Sequence, residues 1–251
     1  MKDEKEFDLG KFVPAEEARK TFAKVFDRGT IKAVHALSTK GYFEIVEHVI
    51  STGKEAHVFH AVDSAGNSRA IKIYKIDTSD FNRMGAYLEG DRRFGRVRKN
   101  KRAIVFTWAR KEFKNLLLMK EAGIECPMPV AVKDNVLVME FIGLDGKAAP
   151  SLRESPPESA EKAYAQAVEM LARLLFKAEL VYGDFSEYNI LNDGERLVLI
   201  DAGQAVLTSH PKAEEFFERD LENTARYFSR QGVKKSALDV REDVKALKGK
   251  V

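Results

Sequence analysis

A single cysteine, Cys126, stands in 251 residues, so no intrachain disulfide can form and a reducing compartment is the expected setting. Its place between a helix and Pro127 reads as packing, not as a nucleophile. No apolar run approaches the roughly 18 residues that would span a bilayer, and the opening Met1-Lys2-Asp3-Glu4-Lys5-Glu6 is too charged for a signal peptide. A cytoplasmic protein with no membrane partner is therefore expected. Internal repeats and low-complexity tracts are missing. So is the Gly-x4-Gly-Lys-Ser/Thr spacing of a Walker loop, although Gly53-Lys54 superficially suggests one.

What is present is the composition of a globular protein: 44% hydrophobic and 32% charged residues. The length allows a substantial core, in two lobes or two small domains. Net charge is only +3, but it is unevenly spread. Between Arg83 and Arg102 eight basic residues face two acidic ones, Glu89 and Asp91. Such a cluster can read phosphate on nucleic acid or on a protein partner, or it can be a solvated charged loop. Only Tyr87 and Phe94 offer stacking rings nearby.

Along the chain, Pro14-Ala-Glu-Glu-Ala-Arg opens a helix that Gly29 can close. Thr30 can cap a second, stopping near Gly41. Residues 1–42 are thus expected as a helical extension. Strands are predicted over Phe43–Ile50, His57–Val62 and Ser68–Ile76, with the polar turn Asp63-Ser-Ala-Gly-Asn between the last two. Alternation puts Ile71 and Ile73 on one face of the third strand and Lys72 on the other. No periodicity is evident from Asp77 to Lys101, which reads as a long mobile basic loop, about residues 80–102. A helix follows from about Ile104 to Ala122, then a hairpin (Pro129–Val132, Val136–Phe141). A polar crossing spans Gly143 to Pro157. Beyond it come a helix over Glu158–Glu179, short strands near Ile190-Leu191 and Leu197–Ile200, and helices over Lys212–Ser229 and Ser236–Leu247. This is an α+β order, with a β-rich half at 43–142 and an α-rich half at 143–251.

Three local patterns carry chemistry. The turn Ser51-Thr-Gly53-Lys54-Glu55 between two strands can present backbone N–H groups to phosphates, with Gly53 allowing close approach. Lys72 sits mid-strand, where a buried ammonium needs a carboxylate. Glu112 on the long helix is the best candidate and Glu121 the rival. The third pattern is Asp184-x4-Asn189 after a long helix, followed by an apolar strand that ends in Asp201.

Ala70-Ile71-Lys72 is similar to the strand-three lysine motif of protein kinases, and Asp184-x4-Asn189 to their catalytic loop. Val136–Gly143 resembles the strand and hinge joining kinase lobes, where backbone near Met139 and Ile142 would meet adenine. Ser51-Thr-Gly-Lys-Glu-Ala, Glu89-Gly-Asp-Arg-Arg-Phe94, Trp108-Ala-Arg-Lys-Glu-Phe, Gly183-Asp-Phe-Ser-Glu-Tyr-Asn189 and Ile200-Asp-Ala-Gly-Gln204 together resemble the RIO family of atypical serine/threonine kinases. The resemblance covers nearly the whole chain and is strongest to the first subfamily in its archaeal form. It implies a two-lobed kinase-like fold with a truncated helical lobe, and ATP with Mg2+ as cofactors (Mn2+ able to substitute). ATP contact would pass to Ser51, Lys54, Lys72, Met139 and Ile142, with Glu112 as the lysine partner. Asp184 would be the acid/base, and Asn189 and Asp201 the metal ligands. Asp201 would also be the site of an aspartyl-phosphate in ATP hydrolysis. Further implications are autophosphorylation on serine, and the maturing small ribosomal subunit with its rRNA as partner.

Departures from the family pattern are His57 where Asn is expected, Tyr182 where His is usual, and Ser186 where ordinary kinases carry lysine. No Ala-Pro-Glu follows Asp201, so a general peptide-docking lobe is not expected. Two other readings stay open: a nucleotide-gated RNA-binding module with negligible turnover, and a small-molecule kinase of the aminoglycoside-phosphotransferase type.

Overall fold

The computed structural model describes residues 26–77, 81–95 and 100–251, with backbone alone at 81 and 82. The helix expected from Pro14 lies outside them up to residue 25. Five strands form the N-terminal sheet: β1 (Ile45–Thr52), β2 (Ala56–Val62), β3 (Ser68–Tyr74), β4 (Pro129–Lys133) and β5 (Val136–Glu140). Their order is β1-β2-β3-β5-β4, with every pairing antiparallel. Asp63 sets the β2–β3 turn by accepting from the N–H groups of Ala65 (3.0 Å) and Asn67 (2.9 Å).

The sheet has two apolar faces and each is covered. Helix α1 (Arg28–Thr39) lays Ala33, Val34 and Leu37 over Phe43, Phe59, Ile71, Ile73 and Val138. What the sequence suggested as an appendage is one layer of this core. Its cap also differs from expectation. Asp27, three residues earlier, accepts from the Thr30 N–H (2.8 Å), and Thr30 is buried with its hydroxyl against Asn135. Gly29 consequently lies in the first turn of α1 and ends no helix.

Helix α3 (Lys101–Glu121) covers the other face. It is capped by Asn100, which accepts from the Ala103 N–H at 2.8 Å. One stripe of α3 buries Trp108, Leu116 and Met119, and the same stripe buries the polar Lys111, Glu112 and Asn115. Such a stripe is stable only if those polar groups find partners.

The stretch expected to lack regular structure contains a helix, α2 (Phe81–Leu88). Met84, Tyr87 and Leu88 are buried, at the i, i+3, i+4 spacing of a single apolar face. The signal was present, but it spans barely two turns and sits among basic residues. Just beyond, Arg93 forks onto the Asp91 carboxylate (2.9 and 2.7 Å) and reaches the Asn115 side chain (2.7 Å).

After a small hairpin, β6 (Gly143–Leu144) and β7 (Lys147–Ala148), the chain becomes mainly helical: α4 (Ala160–Phe176), α5 (Ala213–Arg230) and α6 (Ala237–Ala246). Two ribbons lie among these helices, β9 (Ile190–Asp193) with β10 (Arg196–Leu199), and β8 (Leu180–Val181) with β11 (Val206–Leu207). The β9–β10 turn uses Gly194 and Glu195, both at positive φ (62° and 71°), which suits the twist of a two-residue hairpin. This is the expected α+β architecture. No described helix is long and apolar enough to cross a membrane.

Candidate active site

Strand β3 and helix α3 meet at Lys72. Its Nζ lies 2.9 Å from Glu112 Oε1 and 2.8 Å from Asp201 Oδ1, so one ammonium joins strand, helix and the turn after β10. Glu112 is fully buried, and its second oxygen has no partner among the described residues. Glu121, the rival, lies at the exposed end of α3. Burial alone would lower the Lys72 pKa, but the charges of Asp201 and Glu112 outweigh it and hold the ammonium protonated. Burial also pushes Glu112 up, to about 7, against the opposing pull of Lys72. Both partners shift upward because the lysine answers to two carboxylates while Glu112 has one cation.

Asp184 and Asn189 share one loop. The Asn189 amide nitrogen donates to the Asp184 main-chain oxygen and to its Oδ2, each at 3.0 Å. Gly183, just before, has φ +79°, a conformation glycine adopts without strain. Burial raises the Asp184 pKa; Asn189 opposes the shift and nearby Asp201 adds to it.

The turn carrying Asp201 is braced from below. Asp201 itself is left-handed (φ 60°, ψ 61°), which costs a non-glycine residue about 1–2 kcal/mol. The buried Lys111 donates to the main-chain oxygens of Gly203 (2.8 Å) and Ala205. Asn115 donates to those of Ala202 (2.7 Å) and Ala205 (2.8 Å). Tyr182, where histidine was the usual residue, donates its hydroxyl to the main-chain oxygens of Ile200 and Asp201.

Several residues here escaped the sequence reading. Asp220, on α5, accepts from the N–H groups of Gly183 (2.7 Å) and Phe185 (2.8 Å) and so clamps the loop on both sides of Asp184. A carboxylate on the buried face of a helix, among Phe216, Phe217 and Leu221, was the available signal. Gln204 donates to Asp184 Oδ2 (2.9 Å) and accepts from Tyr87 (2.8 Å) and Arg83 (3.2 Å), tying α2 to the loop. Arg219 donates to the Gly183 oxygen and to the Tyr87 hydroxyl.

Burial pushes Asp220 up to about 7, against the two N–H groups that favour its charge. A folded pKa above the ordinary 3.8 means the folded state binds the proton more tightly than the unfolded state. This contribution is full below about pH 4 and disappears as pH rises through about 7. Asp220→Asn should therefore flatten the fall in stability over that window, as measured by urea denaturation across it. The variant can accept at only one oxygen, so kcat should drop by about tenfold or more, with KM for ATP little changed. An unchanged pH slope would show that Asp220 does not titrate there.

The remaining sequence candidates lie at the edges. Ser51 is exposed near the end of β1, paired with Val58 of β2, and Lys54 is exposed in the turn that follows. That turn is closed by Gly53 N–H to Ala56 O (2.9 Å) and by Lys75 Nζ to Gly53 O (2.7 Å). Met139 and Ile142 are buried at the end of β5 and just beyond. Two backbone groups there are already committed, Glu140 N–H to Met128 O (2.8 Å) and Ile142 O to Ala149 N–H (3.0 Å). An adenine would have to use others. His57 is buried, with Nδ1 3.3 Å from the Thr52 hydroxyl.

Comparison with known proteins bears on the family and the fold. The RIO domain family model matches residues 57–242. The RIO-type serine/threonine-protein kinase Rio1 of Haloferax volcanii is 47% identical over 209 residues, 83% of this chain and 71% of that protein. Human serine/threonine-protein kinase RIO1 is 39% identical over 228 residues, 89% of this chain but only 40% of its own length. Among solved structures, the Rio2 kinase of Chaetomium thermophilum, an ADP/Mg2+-phosphoaspartate complex, superposes with a TM-score of 0.62 at 25% identity. It covers 85% of this chain and 64% of its own. A matched domain this extensive, folded into a kinase-like pair of sheet and helical halves, makes the chain a member of the RIO family, of the Rio1 type.

Proposed function

We propose that the chain is a Mg2+- and ATP-dependent phosphotransferase that modifies serine, itself included, and hydrolyses ATP through an aspartyl-phosphate at Asp201. The observation that carries this reading is the Lys72 ammonium held between Glu112 (2.9 Å) and Asp201 (2.8 Å). A lysine fixed in this way is pre-positioned to meet the phosphates of a nucleotide. Gly53 fits the same role. A Cβ there would meet nothing closer than Ala56 O at 3.4 Å, so packing does not require glycine, whereas a close phosphate would.

The donor set suits Mg2+. Asn189 spends its amide nitrogen on Asp184, which leaves its oxygen for a cation, and the Asp201 carboxylate is half exposed. Bound there, Mg2+ would neutralise charge on the phosphates. The chain's own groups divide the remaining work. Lys72 contacts the phosphates, and Asp184, its carboxylate held by Asn189 and Gln204, takes the proton of the attacking hydroxyl. In the hydrolytic branch an Asp201 oxygen forms the bond to the γ-phosphorus as the bond to ADP breaks, and water then releases phosphate. The Rio2 structure with phosphoaspartate supports this branch. The small ribosomal subunit precursor and its rRNA are the proposed partners, in line with the family resemblance.

Incubation with Mg2+ and γ-labelled ATP tests the reading, scoring free phosphate and protein-bound label before and after hydroxylamine. Hydroxylamine-sensitive label together with phosphate release, both lost in Asp201→Ala, is the expected result. Stable serine label alone would leave the kinase and remove the aspartyl-phosphate. Nucleotide binding without any turnover would convert the reading to a nucleotide-gated binding module.

A further inference from the structure

Asp184 also borders a cavity of about 470 Å³ lined by Arg83 of α2, by Arg219, Arg226 and Arg230 of α5, and by Ser186 and Tyr188 of the catalytic loop. None of Lys72, Asn189 or Asp201 lines it, so it meets Asp184 from the side of the acceptor and not from that of the nucleotide phosphates. Residues 219, 226 and 230 are spaced i, i+7, i+11, which puts three guanidinium groups on one face of α5.

Carboxylates act on two of these cations only at a distance, Asp184 on Arg83 and Arg219, and Asp220 on Arg219. Among the described residues none of the four arginines forms an ion pair with a carboxylate, whereas Arg93, Arg173, Arg196 and Arg241 each do. Their hydrogen bonds go to neutral acceptors: Arg83 to Gln204, Arg219 to Tyr87 and the Gly183 oxygen, Arg226 to Asn223. The Nε of Arg219 is buried and finds no partner among the described residues. The cavity thus sets four guanidinium groups against two carboxylates, Asp184 and Glu187. An anion entering the cavity would be attracted by all four cations.

We propose that this cavity binds a phosphorylated side chain of the protein substrate, so that an acceptor serine with a phosphate already nearby is preferred. The inference rests on the kinase reading above and names the substrate class for it. A dianionic phosphate with three acceptor oxygens matches several converging planar forks better than a single carboxylate does. Recognition of phosphorylated motifs by arginine clusters is a general mode. A nucleic acid strand would call for cations tracking its backbone along a groove. Here they converge on one cavity beside the catalytic aspartate. Tyr188, 62% exposed at the rim, offers its ring to the peptide flanking that phosphate.

The test is direct binding to the full 251-residue chain in the presence of Mg2+ and a non-hydrolysable ATP analogue. The probes are fluorescent serine peptides with phosphoserine placed at successive positions on either side of the acceptor, each beside its unphosphorylated twin. At one or more positions the phosphopeptide should bind at least about tenfold more tightly. The double variant Arg226→Ala/Arg230→Ala should abolish that preference, and Arg226→Lys/Arg230→Lys should restore only part of it. Equal affinities in the wild type, or a preference that survives the alanine variant, would overturn the proposal. Tighter binding of a single-stranded RNA oligonucleotide with the same arginine dependence would assign the cavity to nucleic acid instead. Affinity for the ATP analogue, measured on the same samples, separates the two readings. If it is intact while the phosphate preference is absent, only this inference fails; if it is absent, the kinase reading fails too.

Discussion

Asp184→Ala should lower phosphate transfer by about 10²–10⁴-fold while leaving affinity for Mg2+-ATP within several-fold of wild type. The reason is positional. Asp184 is held by Asn189 at 3.0 Å and by Gln204 at 2.9 Å, on a loop that Asp220 clamps from beneath. Its carboxylate has lost part of its hydration, and burial raises its pKa, which makes it a better proton acceptor than an exposed aspartate. Asp184→Asn is the sharper variant, because it keeps the shape and one acceptor but cannot take a proton. Single-turnover transfer and equilibrium nucleotide binding should be measured on both variants. Normal transfer in Asp184→Asn would remove the proton-accepting role. A loss of nucleotide binding as large as the loss of transfer would make Asp184 a binding residue.

Lys72→Met should damage folding and function together. The substitution leaves Glu112 fully buried with no cation, and breaking a buried pair from one side costs about 3–5 kcal/mol. Glu112 can escape part of that penalty by taking a proton. Its pKa is already about 7 through burial, and loss of Lys72 removes the charge that opposes the rise. A carboxyl whose folded pKa exceeds its unfolded value stabilises the fold at low pH and loses that contribution as pH rises through the folded value. The stability gap between variant and wild type should accordingly be small near pH 5 and widen through about pH 8. Replacing both partners, Lys72→Met with Glu112→Leu, should recover much of the stability and none of the turnover, since an apolar pair needs no counter-charge. Urea midpoints across the pH range and ATP turnover decide it. A single variant as stable as wild type at the alkaline end would show that Glu112 is not held charged by Lys72. Undiminished turnover would place Lys72 outside the site.

The parts of the site differ in how far the sequence exposed them. Asp184 and Asn189 are five residues apart in one loop, so their contact follows from local chain geometry and from the spacing alone. Lys72 could be placed on the opposite face of its strand from Ile71 and Ile73 by alternation, and the two isoleucines do lie in the core beneath α1. Its partner could not be settled that way. Glu112 is forty residues distant, and only the packing of α3 on the sheet separates it from Glu121. Helix α2 went unread because eight residues interrupted by Gly85 are too few for a periodic pattern to stand out beside the basic run that follows.

The sequence by itself determined the α+β order, most of the strands and long helices and the local catalytic spacing, because these rest on periodicity and on residues close together in the chain, while its motifs carried the resemblance to the family. Only the tertiary structure decided which distant groups meet. Asp220 reaches under the loop from α5, Lys111 and Asn115 brace the Asp201 turn from α3, and Gln204 joins α2 to Asp184. The four arginines beside Asp184 come from two helices far apart in the chain. Charge and hydrogen bonding act through space, and a linear pattern carries no record of which buried polar group will be left facing which other until the core has closed around them.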